Sequence, residues 1–296
     1  GEYLVSGLGE LHIDAKIDRP LKDRGLEVMM SPPIVIYRET IRAMSPEVEG
    51  KSANKHNRFY LTVEPLEESV FNALREGKIE EENVRKYIKE IVPKMVELGM
   101  SRDEAKKIVD MHNHNVLIDA TKGVQYLNET IELVIDGFRG VVESGPLARE
   151  PCASMKIRLT DVKLHEDAIH RGPAQVLPAI SDAVKEAVMR AKPTLLEPMQ
   201  TIRIDVPEEL ISGVMNLIQN RRGQVIDTQT ELGAAIIEAK VPTSEMIGFE
   251  AALKSATGGK GFYSLIDITF EKIPEDMKNQ VVSRIRERKG LSPLQI

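Results

Sequence analysis

Apolar positions change their spacing several times along this chain, and each change marks a boundary. Residues 10–24 carry Leu11, Ile13, Ile17 and Leu21 close to helical spacing, with Gly25 as a stop. Residues 3–6 before them and 27–30 after them read as short strands, and Ser31-Pro32-Pro33 breaks whatever precedes it. A strand, a helix and a strand make half of a small sandwich, so the chain is expected to begin inside a domain.

A second unit opens with the apolar run 34–41, and residues 59–63 alternate as a half-buried strand does. The periodicity predicts helices over 66–76, 80–98 and 101–110, separated by Gly77 and Gly99. Pro93 should kink the second, and Ser101-x-x-Glu104 forms a capping box at the start of the third. Residues 115–118 suit a strand, and His112-Asn113-His114 a polar strand entrance. An amphipathic helix follows over 128–143. Residues 155–164 form a long strand whose alternation slips after Leu159, which predicts a bulge. A polar loop, 165–171, then feeds a helix opened by Gly172-Pro173, with its stripe at Val176, Ile180, Ala183, Val184, Ala187 and Ala191.

The last third reads strand 200–206, helix 207–221, strands 223–228 and 234–241, helix 244–256 and strand 262–270. This βαββαβ order has a compact solution, the ferredoxin-like split sandwich with two helices on one face of four strands. A final helix starts near Pro274-Glu275-Asp276 and ends in the basic stretch 284–289, so its end charges suit its dipole. It lies outside the βαββαβ unit and is expected to pack back on the middle domain.

Composition narrows the class. A chain of 296 residues, 42% hydrophobic and 29% charged, is expected to form two or three soluble domains. It shows no signal-peptide pattern and no run near the length of a membrane span, so a cytoplasmic location without membrane contact is expected. Its one cysteine, Cys152, excludes an internal disulfide. The net charge of -6 argues against a uniform nucleic-acid coat, so any such contact must be local.

Local basic character is concentrated in Lys51-Ser52-Ala53-Asn54-Lys55-His56-Asn57-Arg58, placed as a hairpin-like loop between the 34–41 run and the 59–63 strand. The 165–172 loop is the second candidate, because it feeds a helix start where free amides favour an anion, with Arg171 adding charge. At one end of the middle domain the two would make a donor-rich tip able to touch an RNA backbone.

Other motifs have plainer readings. Thr257-Gly258-Gly259-Lys260-Gly261 lacks the strand-loop-helix order of a phosphate loop, and Gly7-Leu8-Gly9 lacks a third glycine for dinucleotide binding. His112, His114, His165 and His170 could instead serve a metal-dependent enzyme, although their spacing matches no zinc signature. No nucleophile-base arrangement stands out.

The segment Asp167-Ala168-Ile169-His170-Arg171-Gly172 resembles the diphthamide motif of the elongation factor 2 family of ribosomal translocases, in its archaeal form. Residues 52–58 resemble that family's other tip loop, and 6–12 a segment of its third domain. The resemblance implies an α+β multidomain fold. Residues 1–33 would be the second half of a ferredoxin-like domain III, 34–196 a domain IV like ribosomal protein S5, and 197–272 a ferredoxin-like domain V. Residues 273–296 would form a helix returning to domain IV.

It further implies His170 as the diphthamide residue, with Lys51, Asn54, Lys55, His56, Asn57, Arg58, Asp167, Arg171 and Gly172 in contact with the decoding site. The implied partners are the small-subunit decoding centre, the large-subunit GTPase-associated centre, tRNA, mRNA and the diphthamide-synthesis enzymes. A monomer is expected. GTP and Mg²⁺ would belong to an amino-terminal domain outside this chain, which would then hold no cofactor or metal and hydrolyse no nucleotide.

Overall fold

The computed structural model describes Val5, residues 13–29 and residues 34–294. The strand expected at 3–6, the turn at Gly7-Leu8-Gly9 and the break at Ser31-Pro32-Pro33 lie outside the described residues, apart from Val5. Two compact units divide the chain, one formed by residues 37–196 and 272–296, the other by 1–36 and 197–271.

The first unit is built on a five-stranded sheet of β2 (Val48–Lys51), β3 (Arg58–Pro65), β4 (Ile108–His112), β5 (Asn115–Asp119) and β6 (Met155–Lys163), in the order β2-β3-β6-β5-β4. Only the β5-β6 pair is parallel, and its crossover is the helix α4 (Leu127–Glu143). That helix and α5 (Pro173–Arg190) bury Phe138, Ile135, Ile180 and Val184 with Phe59, Leu61, Ile157 and Leu159, which alternate along the covered sheet face. Burying each such side chain contributes about 1.5–3 kcal/mol. Lys156 and Arg158, on the opposite face, are held by Glu64 and Glu104. The expected bulge in β6 is present: Tyr60 pairs with Asp161 and Leu61 with Leu159, leaving Thr160 as the extra residue.

Three readings of this unit are corrected. The hairpin carrying the basic loop is made by β2 and β3. The 34–41 run contributes instead β1 (Arg38–Ile41), which pairs antiparallel with residues 193–196. Residues 48–51 were not legible as a strand because Val-Glu-Gly-Lys offers only one large apolar side chain. The helix expected over 101–110 is only α3 (Arg102–Ala105), since β-branched Ile108 and Val109 join a strand. His112-Asn113-His114 is not an extended entrance but the turn of the β4-β5 hairpin. Asn113 and His114 sit at φ 49° and 61° there, as a two-residue turn matched to strand twist requires.

Helices α1 (Glu68–Arg75) and α2 (Val84–Glu97) precede α3. The helix α2 runs through Pro93, and its departure from helical geometry falls at Tyr87. The final helix α8 (Glu275–Arg288) belongs to this unit, where Val281, Val282 and Ile285 are buried.

In the second unit, β7 (Pro193–Pro207, here its residues from 197), β8 (Gln224–Glu231), β9 (Ala234–Pro242) and β10 (Phe262–Lys272) pair in the order β10-β7-β9-β8. The helices α6 (Ile211–Asn220) and α7 (Phe249–Ala256) supply Val214, Ile218, Phe249 and Leu253 to a core with Ile202, Ile204, Ile237 and Val241. Thr257 and the glycines after it form the helix stop, with Gly258 and Gly259 at positive φ and Gly261 N–H donating to Thr257 Oγ1. Residues 14–23 are helical, and Gly25 at φ 74° ends that run. The strand expected at 27–30 is not formed at 27–29, where Val28 and Met29 are exposed; residue 30 lies outside the described residues.

Candidate nucleic-acid interface

The β2-β3 turn and the segment following β6 leave the sheet at the same end, because Arg58 pairs in register with both Lys51 and Lys163. Residues opposite one another in a ladder share a face, so these three side chains form a cationic row across three neighbouring strands. Like charges directly opposite cost stability, and Glu49 offsets only part of this through its 3.1 Å ion pair with Arg58. Lys51, Lys55 and Lys163 are exposed. Lys163 escaped sequence reasoning, since only the strand register reveals it as a neighbour of Arg58.

Beyond the row, the two loops interlock. Ser52 Oγ donates to Asn54 Oδ1 at 2.6 Å and accepts from the backbone and side-chain nitrogens of Asn57 at 3.0 and 3.2 Å. The side-chain amides of Asn54 and Asn57 both donate to the His170 carbonyl, at 3.1 and 2.7 Å. Gln175, in the first turn of α5, accepts from Asn54 N–H at 2.9 Å and was also missed by sequence reasoning. Lys55 crosses the turn at φ 64°, so its side chain leaves from a left-handed residue.

The same contacts gather three imidazoles. His56 and His165 lie 4.7 Å apart between ring centroids, His56 and His170 4.8 Å, and His165 and His170 4.6 Å. These separations fall in the range of direct aromatic contact. Asp167 N–H donates to His165 Nδ1, so that nitrogen carries no proton, and Asp167 Oδ1 accepts from Ile169 N–H. Gly172 ends the short 3₁₀ turn Ala168–Arg171 and caps α5, while Ile169 protrudes, 78% exposed.

Two expected contact residues face inward. The Arg171 side chain is 4% exposed, stacked 4.3 Å over the Tyr126 ring and joined to Glu129 at 2.8 Å. Its charge is therefore spent on α4 rather than presented at the tip. Asn57 is fully buried and all its side-chain polar atoms are engaged, so it too is a structural member of the site.

The four-histidine metal reading fails geometrically. His112 and His114 sit on a hairpin whose His114 carbonyl accepts from Ser154, at the start of β6, whereas His165 follows its end, roughly 25 Å along the strand. His112 meets Glu143 and His114 meets Glu81, and no metal-holding group of three or more His, Cys, Asp or Glu occurs among the described residues. Glu81 is held below the usual carboxylate range: burial opposes this, but His114 and its backbone N–H outweigh it.

In the basic stretch at the end of α8, Arg286 and Lys289 are likewise committed internally. Arg286 donates to the Leu147 carbonyl at 2.7 Å, and Lys289 to those of Ala148 and Arg149 and to the Glu150 carboxylate at 2.8 Å. Cys152 is fully buried, and burial followed by the nearby Glu39 pushes its thiol well above the ordinary range, so it acts as a small core side chain. No helix among the described residues is long and apolar enough to cross a membrane.

Residues 77–192 match the family described as elongation factor G, domain IV, and residues 194–281 match the elongation factor G C-terminus. The elongation factor 2 of Methanosphaera stadtmanae is 48% identical over 99% of this chain, that of Pyrococcus furiosus 47% over 99%, and that of Archaeoglobus fulgidus 46% over 98%. The chain spans about 40% of the length of these curated relatives. With two consecutive domains of one family matched and archaeal relatives at this identity along nearly every residue, the chain belongs to the elongation factor G and elongation factor 2 family and corresponds to a carboxyl-terminal part of archaeal elongation factor 2.

Proposed function

We infer that this chain is the part of a ribosomal translocase that enters the decoding site of the small subunit. The observation that carries the reading is the joint tip: two loops interlocked at one end of a sheet, beside the row Lys51, Arg58 and Lys163, on a chain of net charge -6. A cationic extremity on an acidic body suits phosphate backbone at one place and repels it elsewhere.

In this reading the tip occupies the vacated decoding site, against the codon-anticodon helix, and prevents tRNA and mRNA from slipping back. Lys51, Lys55, His56, Arg58 and Lys163 face the RNA, with Asn54, Asp167 and Gly172 shaping the surface, and His170 carries diphthamide added by its synthesis enzymes. Residues 34–196 with 273–296 are an S5-like domain IV, residues 197–272 a ferredoxin-like domain V directed at the large-subunit GTPase-associated centre, and 1–33 the end of domain III. GTP and Mg²⁺ binding belong to the portion of the relatives that this chain does not match. The protein acts in the cytoplasm as a monomer.

The test is Lys55→Glu with Lys163→Glu in the intact factor. Translocation should slow, nucleotide binding off the ribosome should stay unchanged, and the slope of log affinity against log salt should fall by about one for each phosphate no longer neutralised. Unchanged translocation and an unchanged salt slope would remove the tip from the RNA. Mass spectrometry of the His170 peptide from an archaeal host checks the modification, and an unmodified peptide there contradicts it.

A further inference from the structure

The buried side chain of Asn57 does something the exposed residues around it cannot. Its Oδ1 accepts the His165 N–H at 3.1 Å, while its Nδ2 donates to the His170 carbonyl at 2.7 Å. One side-chain amide thus closes the segment 165–170 across its two ends, as a peptide group would in a ladder. The orientation of that amide is set by its partners, because an N–H can only donate and a carbonyl can only accept. The second Nδ2 hydrogen goes to Ser52 Oγ at 3.2 Å, and the Ser52 hydroxyl donates onward to Asn54 Oδ1 at 2.6 Å. Asn54 in turn places its own Nδ2 on the His170 carbonyl at 3.1 Å.

We propose that Asn57, seconded by Asn54, is a positioning residue that clamps the 165–170 loop by both ends and so fixes the direction in which His170 presents its imidazole. The proposal rests on the reading of His170 as the residue at the interface, and concerns how that residue is held. Three features carry it. The loop is polar and solvent-facing, so apolar packing cannot order it: Glu166, Asp167, Ala168 and Ile169 are exposed. Within it, the Asp167 capping bond and the His170 N–H to Asp167 carbonyl bond at 3.1 Å fix only the local turn. The bonds joining its ends to the protein body run through the 52–57 loop, which also carries His56 at 4.8 Å from the His170 ring.

Chemistry excludes the nearest substitutes. Aspartate at 57 would turn an acceptor toward the His170 carbonyl and bury a charge. Alanine would remove the side-chain bonds to His165, Ser52 and His170 together and leave the backbone N–H on Ser52 Oγ. Asn54→Ala, by contrast, should release only one of the two donors to the His170 carbonyl and leave the His165 bond intact.

The experiment uses this chain, with NMR-detected amide exchange and relaxation of the histidine ring Cε1–H groups. Asn57→Ala should raise the His165 amide exchange rate at least tenfold and lower the order parameter of the His170 ring. His112 and His114, at the other end of β6, serve as internal references and should keep theirs, and the β3 and β6 amides should stay protected. Asn54→Ala should loosen the His170 ring, and with it His56, whose N–H Asn54 Oδ1 accepts at 3.1 Å, while the His165 amide stays protected; this also covers the case that Asn57→Ala does not fold. Unchanged His165 exchange in folded Asn57→Ala, or an unchanged His170 ring in Asn54→Ala, overturns the clamp. In the intact factor, a loosened His170 with undiminished translocation would contradict the interface reading while leaving the clamp standing.

Discussion

Glu39 and Lys289 hold the same loop by opposite ends of its peptide groups. The Glu39 carboxylate accepts the N–H groups of Leu147, Ala148 and Glu150 at 2.7, 2.7 and 3.0 Å, and the Lys289 ammonium donates to the carbonyls of Ala148 and Arg149 at 3.2 and 2.6 Å. An anion on one side and a cation on the other align the intervening peptide dipoles, which ties β1 and the end of α8 to residues 147–150. The position of α8 in its unit thus depends on a carboxylate that is wholly buried.

Burial pushes the Glu39 carboxyl up to about 7, against the lowering effect of the three amides and of Lys289. Its folded value lies above its unfolded one, so between roughly pH 4.5 and 7 the folded chain binds more protons. Stability should therefore fall as pH rises through that window, by up to about 3 kcal/mol from this group. Urea unfolding at several pH values checks this: the wild type should lose more stability across the window than Glu39→Gln, and equal slopes would refute the assignment.

Gly50 marks the closest approach of β2 to α5. A Cβ there would lie 2.8 Å from Ala183 Cβ and against the Ala179 backbone, which cannot yield as a flexible side chain would. Gly50→Ala should cost roughly 1–3 kcal/mol in chemical denaturation. Because β2 leads into the 52–57 loop, the His56 and His170 resonances should shift as well; a neutral substitution with unmoved resonances would mean that the helix and strand separate freely.

Arg171 separates a structural cation from an interfacial one. Arg171→Lys loses the stack on Tyr126 and the guanidinium geometry at Glu129, and should destabilise the chain by about 1–2 kcal/mol. In the intact factor its salt slope of ribosome binding should match the wild type. A fall in slope equal to that of Lys55→Glu would return Arg171 to the RNA surface.

Elements were readable where one local signal sufficed. The stripe from Val176 to Ala191 placed α5, with Pro173 at its start, and the slip after Leu159 foretold the bulge at Thr160. Where two signals competed, local reading failed: the capping box at Ser101 does begin a helix, but residues from Ile108 onward gain more by joining the strand that pairs with β5. At the tip, residue type separated neither Arg171 from Lys55 nor Asn57 from Asn54, since the members of each pair are equally polar.

The sequence by itself determined the helices with a clear apolar stripe, the strands with a clear alternation, the βαββαβ order of the last third, the acidic overall charge and the two polar loops with their histidines. Those properties depend on residues within a few positions of one another. Only the tertiary structure decided that Lys163 stands beside Arg58, that Arg171 turns inward to Tyr126, and that Asn57 closes the loop of His170. Each depends on strand register or on a bond across more than 40 positions, and a polar side chain does not reveal in sequence whether its partner is solvent, protein or RNA.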